Sequence, residues 1–320
     1  MTRYVLRRVA LFVPTAVAAS LVVFALMRVL PGDAALAILA DTPHTVEMRE
    51  ALREALGLNE PLHIQYSQWA RSMLSREVGG RSLETGEPIG AILASQLSVT
   101  ALLSVYAVGI SLSLALPASI LAALHRGRRI DRAIDGMSLA ALSIPTVFAA
   151  LLVLWLLLRL VKWSPPIIYV APNEHLAEHM AMMIWPALLL SLAYTPHLMR
   201  VTRGRLIDVL ESDYAAAARA RGVGEAGVVI RHGVPNAAIT LLTVIGLQFG
   251  LLISGAIVVE AVFGVPGIGR GIVHAALARD YPVVQSAATV LVLLVLTVNL
   301  AVDIACALVD PRVHYGRRTV

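Results

Sequence analysis

Long stretches without a charged side chain constrain this sequence more than any other feature. Six of them run for at least 19 residues without Asp, Glu, Lys or Arg. They cover residues 9–27, 98–121 (inside the longer run 88–125), 136–158, 180–199, 232–259 and 281–302. A helix of about 20 apolar residues crosses the roughly 30 Å hydrocarbon core of a bilayer. The sequence therefore predicts an all-α, polytopic membrane protein with six transmembrane helices.

The composition agrees with a lipid bilayer as the main surroundings of the chain. Hydrophobic residues make up 58% of its 320 residues and charged residues 15%, whereas soluble proteins have about 25% charged residues. A soluble globular domain and a disordered chain are therefore excluded. The net charge of +5 is too small to indicate a nucleic-acid partner. The single cysteine, Cys306, can form neither an internal disulfide nor a cysteine-based metal site.

The first charge-free stretch follows Arg3, Arg7 and Arg8 and could be mistaken for a signal peptide. Residues 16–18 read Ala-Val-Ala, which resembles a cleavage site, but the apolar run continues to Leu26. Cleavage would cut inside a segment that is long enough to span the bilayer. We therefore expect an uncleaved first helix.

The distribution of basic residues predicts the orientation. If the N-terminus is cytoplasmic, 16 of the 26 Lys and Arg residues fall in inside segments. Most of the others lie in or beside a first external segment that is too long to count strongly in the positive-inside rule. Both termini are therefore predicted to be cytoplasmic.

The spacing of the spans predicts four regions. An N-terminal segment with the first span is followed by an extracytoplasmic subdomain, a five-helix transmembrane core with a long loop at residues 200–235, and a cytoplasmic tail. In order, these regions are residues 1–30, 31–97, 98–312 and 313–320.

The loop between the fourth and fifth spans contains a predicted short helix. Ser212 or Asp213 supplies a helix start, residues 215–218 are all alanine, and Gly222 and Gly224 stop the helix. The pattern predicts about ten helical residues, then a turn and a second helix that enters the membrane. Small side chains allow another surface to approach closely, so this helix is a candidate docking site. A connector that lies on the bilayer surface is the alternative.

This loop resembles the EAA loop of ABC importer permeases. The matching residues are Asp213-Tyr214, Ala217-Ala218-Arg219-Ala220-Arg221-Gly222, Val234-Pro235 and Asn236-Ala237. The sequence departs from the EAA pattern at Ala216, where the motif has Glu, and at His232 and Val234, where it has Ile and Leu. The form with Tyr214, His232 and Asn236 resembles the dipeptide, oligopeptide and nickel branch of that family.

Further similarities to the same branch follow in order over almost the whole chain. They are Tyr4 with Arg7-Arg8, Pro31-Gly32-Asp33, Leu56-Gly57-Leu58, Pro61-Leu62, Gln65-Tyr66, Arg126-Gly127, Asp131, Ser143-Ile144-Pro145, Glu260, Phe263, Pro266-Gly267, Arg279-Asp280, Pro282, Gln285, Asn299, Asp303 and Asp310-Pro311-Arg312. Each match alone is weak, whereas their order and spacing are specific.

The resemblance implies a permease subunit of an ATP-driven importer of short peptides in a prokaryotic cytoplasmic membrane. It implies no catalytic residue, metal or cofactor in this chain. The implied partners are a second, similar permease, two ATPase subunits or domains that hold ATP and Mg²⁺, and an extracytoplasmic solute-binding protein. The residues implied to dock on the ATPase are Asp213, Tyr214, Ala217, Ala218, Arg219, Arg221 and Gly222. The polar candidates for the translocation path are Ser104, Tyr106, Ser143, Thr146, Gln248 and Ser254.

Three short segments were considered as signs of another kind of chemistry. Lys162 is not followed by Ser or Thr, so the sequence has no P-loop lysine and nucleotide must bind elsewhere. His175, Glu178 and His179 match the inverted zinc-protease motif H-x-x-E-H, but they lie in a short connector, and a solvated interface helix is the expected structure. Residues 264–271 are glycine-rich, yet they follow a span rather than a βαβ unit, so a turn is expected there.

A proton-coupled secondary transporter is the main alternative function. It would need a carboxylate or histidine relay inside the membrane, whereas Arg28, Arg159 and Asp303 lie near the ends of spans. Asp303 is more simply explained by a bond to a neighbouring helix. A membrane-embedded hydrolase would need a nucleophile motif such as Gly-x-Ser-x-Gly; Ser254-Gly255 instead indicates close helix packing.

Overall fold

The computed structural model describes residues 2–29, 39, 45–55, 57–75, 78–166 and 168–309, and these residues are mostly helical. Within them one isolated β-bridge joins Arg81 and Pro88. The helices are α1 Thr2–Val29, α2 Val46–Ala55, α3 Leu62–Leu74, α4 Ile89–Leu124, α5 Arg129–Ser143, α6 Thr146–Leu156, α7 Leu176–Leu210, α8 Asp213–Ala220, α9 Glu225–Val228, α10 Val234–Phe263, α11 Ile268–Leu277 and α12 Tyr281–Val309. Short π-helical turns follow α6 (Leu157–Val161) and α9 (Val229–Gly233).

Five helices in the described part of the chain are long and apolar enough to cross a membrane, and the bent pair α5–α6 makes a sixth span if its halves count as one. The five are Val5–Val29, Ile89–Leu124, Leu176–Leu210, Glu225–Phe263 and Tyr281–Leu308. The prediction of an all-α, polytopic membrane protein is confirmed. Four of the five extend past their charge-free stretches, because charged side chains are tolerated near the membrane surfaces, whereas Ile89–Leu124 lies inside the uncharged run 88–125.

The third span is bent where the sequence predicted a single segment. Its halves, α5 and α6, meet at an angle of 98°. Pro145 precedes α6, and Ile144 has φ −89° and ψ 120°, the extended conformation that the residue before a proline favours. α7 contains Pro186 and Pro196, where the sequence predicts kinks, and it continues as one helix through both.

The described residues fall into two compact units. The first unit takes its residues from Met1–Val9, Ala101–Gly264 and Thr297–Val320, and the second from Ala10–Thr100 and Val265–Leu296.

Several of the predicted residues lie outside the described part of the chain: these are Pro31-Gly32-Asp33, Leu56 and Asp310-Pro311-Arg312.

An aromatic cluster organises part of the second unit. The ring centroid of Phe24 lies 5.5 Å from that of Tyr66 and 6.3 Å from that of Trp69. Ser20 Oγ lies 2.8 Å from Tyr66 Oη. Aromatic pairs of this kind stabilise packing beyond the apolar area that they bury. The cluster therefore holds α3 against α1.

Asp280 connects two distant parts of the second unit. Its buried carboxylate accepts hydrogen bonds from Ser82 Oγ at 2.5 Å and from the Glu84 backbone N–H at 3.3 Å. It also accepts one from the Val283 N–H at 3.4 Å, as an N-cap residue does at the start of a helix. Asp280 thereby fixes the turn around residue 82 to the beginning of α12.

Small residues, and an ion pair between α1 and α12, join helices of the first unit. A Cβ at Gly246 would lie 2.9 Å from Val302 Cγ1, and one at Gly255 would lie 3.0 Å from Leu190 Cδ1. These glycines let α10 approach α12 and α7 closely, as the sequence indicated for Ser254-Gly255. Arg8 pairs with Asp303 at 2.8 Å, which is the bond to a neighbouring helix predicted for Asp303.

Candidate functional site

The short helix α8 has a defined stop. It contains 8 residues, Asp213–Ala220, close to the predicted length. The Val223 N–H donates to the Ala218 carbonyl at 3.2 Å, and the Gly222 N–H donates to the Arg219 carbonyl at 2.8 Å. This pair of bonds is a Schellman motif, which places its glycine in the left-handed region. Gly222 has φ +84°, so glycine is the residue that fits this position.

The two faces of α8 have different surroundings. Ala215 and Ala218 are fully buried against Val228, and Leu210 and Val223 pack around them. The other face is exposed and carries the remaining small and polar residues of the helix. These exposed residues are Asp213, Tyr214, Ala216, Ala217 and Ala220, followed by Arg221 and Gly222. Among the predicted docking residues, Ala217 is therefore open to a partner, whereas the side chain of Ala218 packs inside its own loop.

Arg219 ties the ends of three helices together. Its Nε donates to Glu225 Oε1 at 2.6 Å, and its Nη2 donates to Glu225 Oε2 at 3.1 Å and to the Leu210 carbonyl at 2.8 Å. The hydrogen bonds to the Glu225 carboxylate raise the pKa of Arg219 above its usual value. Arg219 therefore joins α8 to the end of α7 and the start of α9.

Tyr214 connects α8 to the beginning of α10. Its ring lies edge-on to His232, with the centroids 5.7 Å apart. Asn236 Nδ2 donates to Tyr214 Oη at 3.3 Å and to the His232 carbonyl at 2.8 Å. The sequence marked His232 and Asn236 only by their resemblance to the family, because their contact with Tyr214 depends on the fold of the loop.

A cavity of about 320 Å³ lies in the first unit at the bend of the third span. Residues of α5, α6, α7 and α10 line it, and none of these described residues is Asp, Glu, Lys or Arg. Its polar side chains are Thr146, Tyr194, His197 and Ser254. Thr146 and Ser254 were predicted for the path from sequence. Tyr194 and His197 were not, because α7 gave no polar pattern that distinguishes its cavity side.

The other path candidates do not line this cavity. Ser104 is buried in α4. Ser143 is exposed and donates to the Leu139 carbonyl at 2.9 Å. Gln248 is half-buried, and its Oε1 is buried without a hydrogen-bond partner among the described residues. The structure thus brings together two of the six predicted residues at one cavity.

Tyr106, the remaining path candidate, binds His179. Nδ1 of the fully buried His179 lies 2.9 Å from the Val170 carbonyl, and its Nε2 lies 3.1 Å from Tyr106 Oη. A carbonyl only accepts, so Nδ1 carries the proton and Nε2 accepts from the tyrosine. The expectation of a solvated helix is therefore wrong for His179, although His175 and Glu178 are exposed. Among the described residues, no group of three or more potential metal ligands occurs.

Comparison with known proteins places this architecture in one family. The family model described as "Binding-protein-dependent transport system inner membrane component" matches residues 115–315. A second model, "Binding-prot-dependent transport system membrane comp, N-term", matches residues 1–114. Together they account for almost the entire chain.

Individual relatives match this chain over almost their full length. The "Probable peptide ABC transporter permease protein y4tP" of Sinorhizobium fredii is 35% identical, over 98% of this chain and 99% of its own. The "Oligopeptide transport system permease protein AppB" of Bacillus subtilis is 31% identical, over 98% of this chain and 100% of its own.

A solved structure shares the fold at lower identity. An inward-facing MetNI methionine ABC transporter matches with a TM-score of 0.59 and 18% identity, over 70% of this chain and 99% of the matched chain. The chain thus belongs to the family of binding-protein-dependent transport system inner membrane components, as a multi-pass permease of the peptide ABC importer type in the cytoplasmic membrane.

Proposed function

We propose that this chain forms part of the translocation path for short peptides and receives its driving force from ATP hydrolysis in separate subunits, onto which α8 docks. Its partners in this proposal are a second permease, two ATPase subunits or domains with bound ATP and Mg²⁺, and an extracytoplasmic binding protein. The names of its relatives, which are peptide and oligopeptide permeases, support the cargo class.

The two-faced packing of α8 carries this proposal. One face is anchored by Ala215 and Ala218 on Val228, and the other presents Ala217 beside the exposed Tyr214. A helix of 8 residues is marginal by itself in water, so this packing is what holds it in place. The result is a fixed surface of small side chains, onto which a groove on another protein can close tightly.

The attachment of α8 to its neighbouring helices would couple ATP hydrolysis to transport in this proposal. In this proposal the loop at 200–235 and both termini face the cytoplasm, as the distribution of arginines predicts. ATP drives transport only if it favours one permease arrangement over another by a difference in free energy. α8 can convey that difference because Arg219 and Tyr214 fasten it to α7, α9 and the start of α10.

The cavity supports a path for cargo of varied charge. Its lining in the described residues is apolar with four polar side chains and no ionised Asp, Glu, Lys or Arg. Such a wall neither holds nor repels a charged peptide strongly. Selection among peptides is therefore assigned to the binding protein in this proposal.

Asp303 gives no support to proton coupling. Asp303 is an acidic residue in the last span, and its carboxylate is engaged by Arg8 at 2.8 Å. It is not the lone membrane carboxylate that a proton relay uses.

A bulky residue on the exposed face of α8 tests the docking proposal. Ala217→Trp leaves the buried contact with Val228 intact, and we expect it to reduce ATPase co-purification by about tenfold, as loss of a central contact in a small interface does. The measurement is the amount of ATPase that is retained with the affinity-purified permease from detergent-solubilised membranes.

Ala133→Trp is the matched control, because Ala133 is an exposed alanine in α5 on the same predicted side of the membrane. It should retain ATPase like the unmodified protein. Equal retention by the two variants would contradict docking through α8.

A further inference from the structure

Three ion pairs join the start of the third span to the end of α7. They are Arg126–Glu211, Asp131–Arg203 at 2.6 Å and Asp135–Arg200 at 3.7 Å. As the residue number rises along one side it falls along the other, so the two segments run antiparallel. We call these six residues the ion-pair ladder.

The central pair of the ladder joins a buried carboxylate to a partly buried arginine, and its geometry is fixed. Asp131 is only 3% exposed. Arg203 binds it through two parallel hydrogen bonds, Nε to Oδ1 at 2.6 Å and Nη2 to Oδ2 at 2.7 Å. The Gly127 backbone N–H adds a third bond to Oδ2 at 2.9 Å. A two-point arginine–carboxylate pair restricts orientation as well as distance.

The outer pairs contribute differently. Arg126, Glu211, Arg200 and Asp135 all have side chains that are at least 42% exposed. Exposed ion pairs add little stability. Of the three pairs, Asp131–Arg203 therefore contributes most to the register between the two segments.

Each of the two segments joined by the ion-pair ladder leads to a part of the protein that the proposed function uses. Past Arg203, α7 ends at Leu210 and α8 begins three residues later, at Asp213. From Asp131, α5 runs on to the bend, where Ile144 and Thr146 line the cavity. α5 has 15 residues, which is about 22 Å of helix, long enough to act as a lever.

We infer that Asp131 and Arg203 are positioning residues that transmit displacement of α8 to the cavity. They hold α5 and the end of α7 in one register, so a movement that α8 imposes on α7 also moves the bend at Ile144-Pro145. An apolar contact of the same size often stabilises as well, but it lacks the directional, two-point geometry of this pair. This inference rests on the proposed docking of α8.

Cysteine reactivity at the cavity tests the inference without knowledge of the cargo. Thr146→Cys is introduced together with Cys306→Ala, and the complex with its ATPase and second permease is placed in lipid nanodiscs. A negatively charged methanethiosulfonate reagent then modifies residue 146 with and without ATP. We expect ATP to change the modification rate in the parent protein, and Arg203→Gln to reduce that change about tenfold, within the usual range of coupling between sites.

Two further variants separate transmission from folding. Arg132→Gln removes an exposed arginine from α5, beside Asp131, and should leave the ATP response unchanged. Arg203→Lys keeps the charge but loses the two-point geometry, so its response should be intermediate. Retained ATPase in each purified complex shows that assembly is intact.

The outcomes distinguish the two proposals. If ATP has no effect in the parent protein, although ATPase is bound and active, the proposed coupling fails. If ATP acts on the parent and equally on Arg203→Gln and Arg203→Lys, coupling stands and the ladder has no part in it. If Arg203→Gln does not assemble, an unimpaired ATP response in the assembled Arg203→Lys complex overturns the inference.

Discussion

Gly222 is the residue with the strictest backbone requirement in the loop at residues 200–235. Its φ of +84° closes α8, and a Cβ there meets no other atom within 4 Å. Any effect of a small side chain therefore comes from the backbone conformation and not from a clash.

Gly222→Ala should destabilise the closed loop by about 1–2 kcal/mol, the cost of placing an L-residue in the left-handed region. Hydrogen exchange of the backbone amides at residues 213–223 measures this loss of stability as faster local opening. Gly224→Ala is the control, since Gly224 has φ −66° and open space around it. Similar exchange in the two variants would show that α8 does not depend on its stop.

Residue roles were predictable where the signal is local. The sequence predicted that Gly222 ends the helix, because glycine beyond an alanine run is a local signal. It did not predict that His179 is buried, because its partner Tyr106 lies 73 positions away in the chain. The short motif H-x-x-E-H carries no information about that contact.

The element α8 shows a related limit of sequence reasoning. The sequence predicted a helix at the right place, yet the alanines at 215–218 are identical, and no local pattern distinguishes the buried ones. Val228, which lies beyond the turn, decides that Ala215 and Ala218 face inward. The bend of the third span was missed for a similar reason, because Pro145 lies inside the charge-free stretch 136–158 and does not interrupt it.

Ala218→Leu should overpack the contact with Val228 and destabilise the loop by about 1–3 kcal/mol. Ala216→Leu, on the exposed face, adds the same atoms where there is room. Limited proteolysis at the arginines of the loop at residues 200–235 compares the two variants. Faster cleavage than in the unmodified protein is expected only for Ala218→Leu. Equal cleavage would mean that the buried face does not hold α8.

At the scale of the whole molecule, the charge-free stretches predicted the membrane spans because a bilayer imposes length and apolarity on every crossing helix. They could not predict contacts such as Ser82 with Asp280, which are 198 positions apart. Contacts of that kind depend on how the helices assemble. Neither the periodicity nor the composition of the sequence carries information about that assembly.

The Arg8–Asp303 pair gives a prediction for transport as a whole. Asp303→Asn weakens a partly exposed pair, which is worth about 1 kcal/mol or less, so ATP-driven uptake of a radiolabelled tripeptide should stay within about twofold of the parent. Proteoliposomes with the full complex provide the measurement. If Asp303→Asn abolished uptake while assembly and ATPase activity persisted, a proton-coupled mechanism would regain support.

The internal packing of α8 has a consequence for assembly. Because its inner face rests on Val228 of the same chain, α8 is already held in place before the proposed docking partner binds. Association then loses little conformational entropy, since few groups remain to be ordered on contact. In the proposed assembly, an ATPase subunit could therefore dissociate from α8 and bind again without any refolding of that helix.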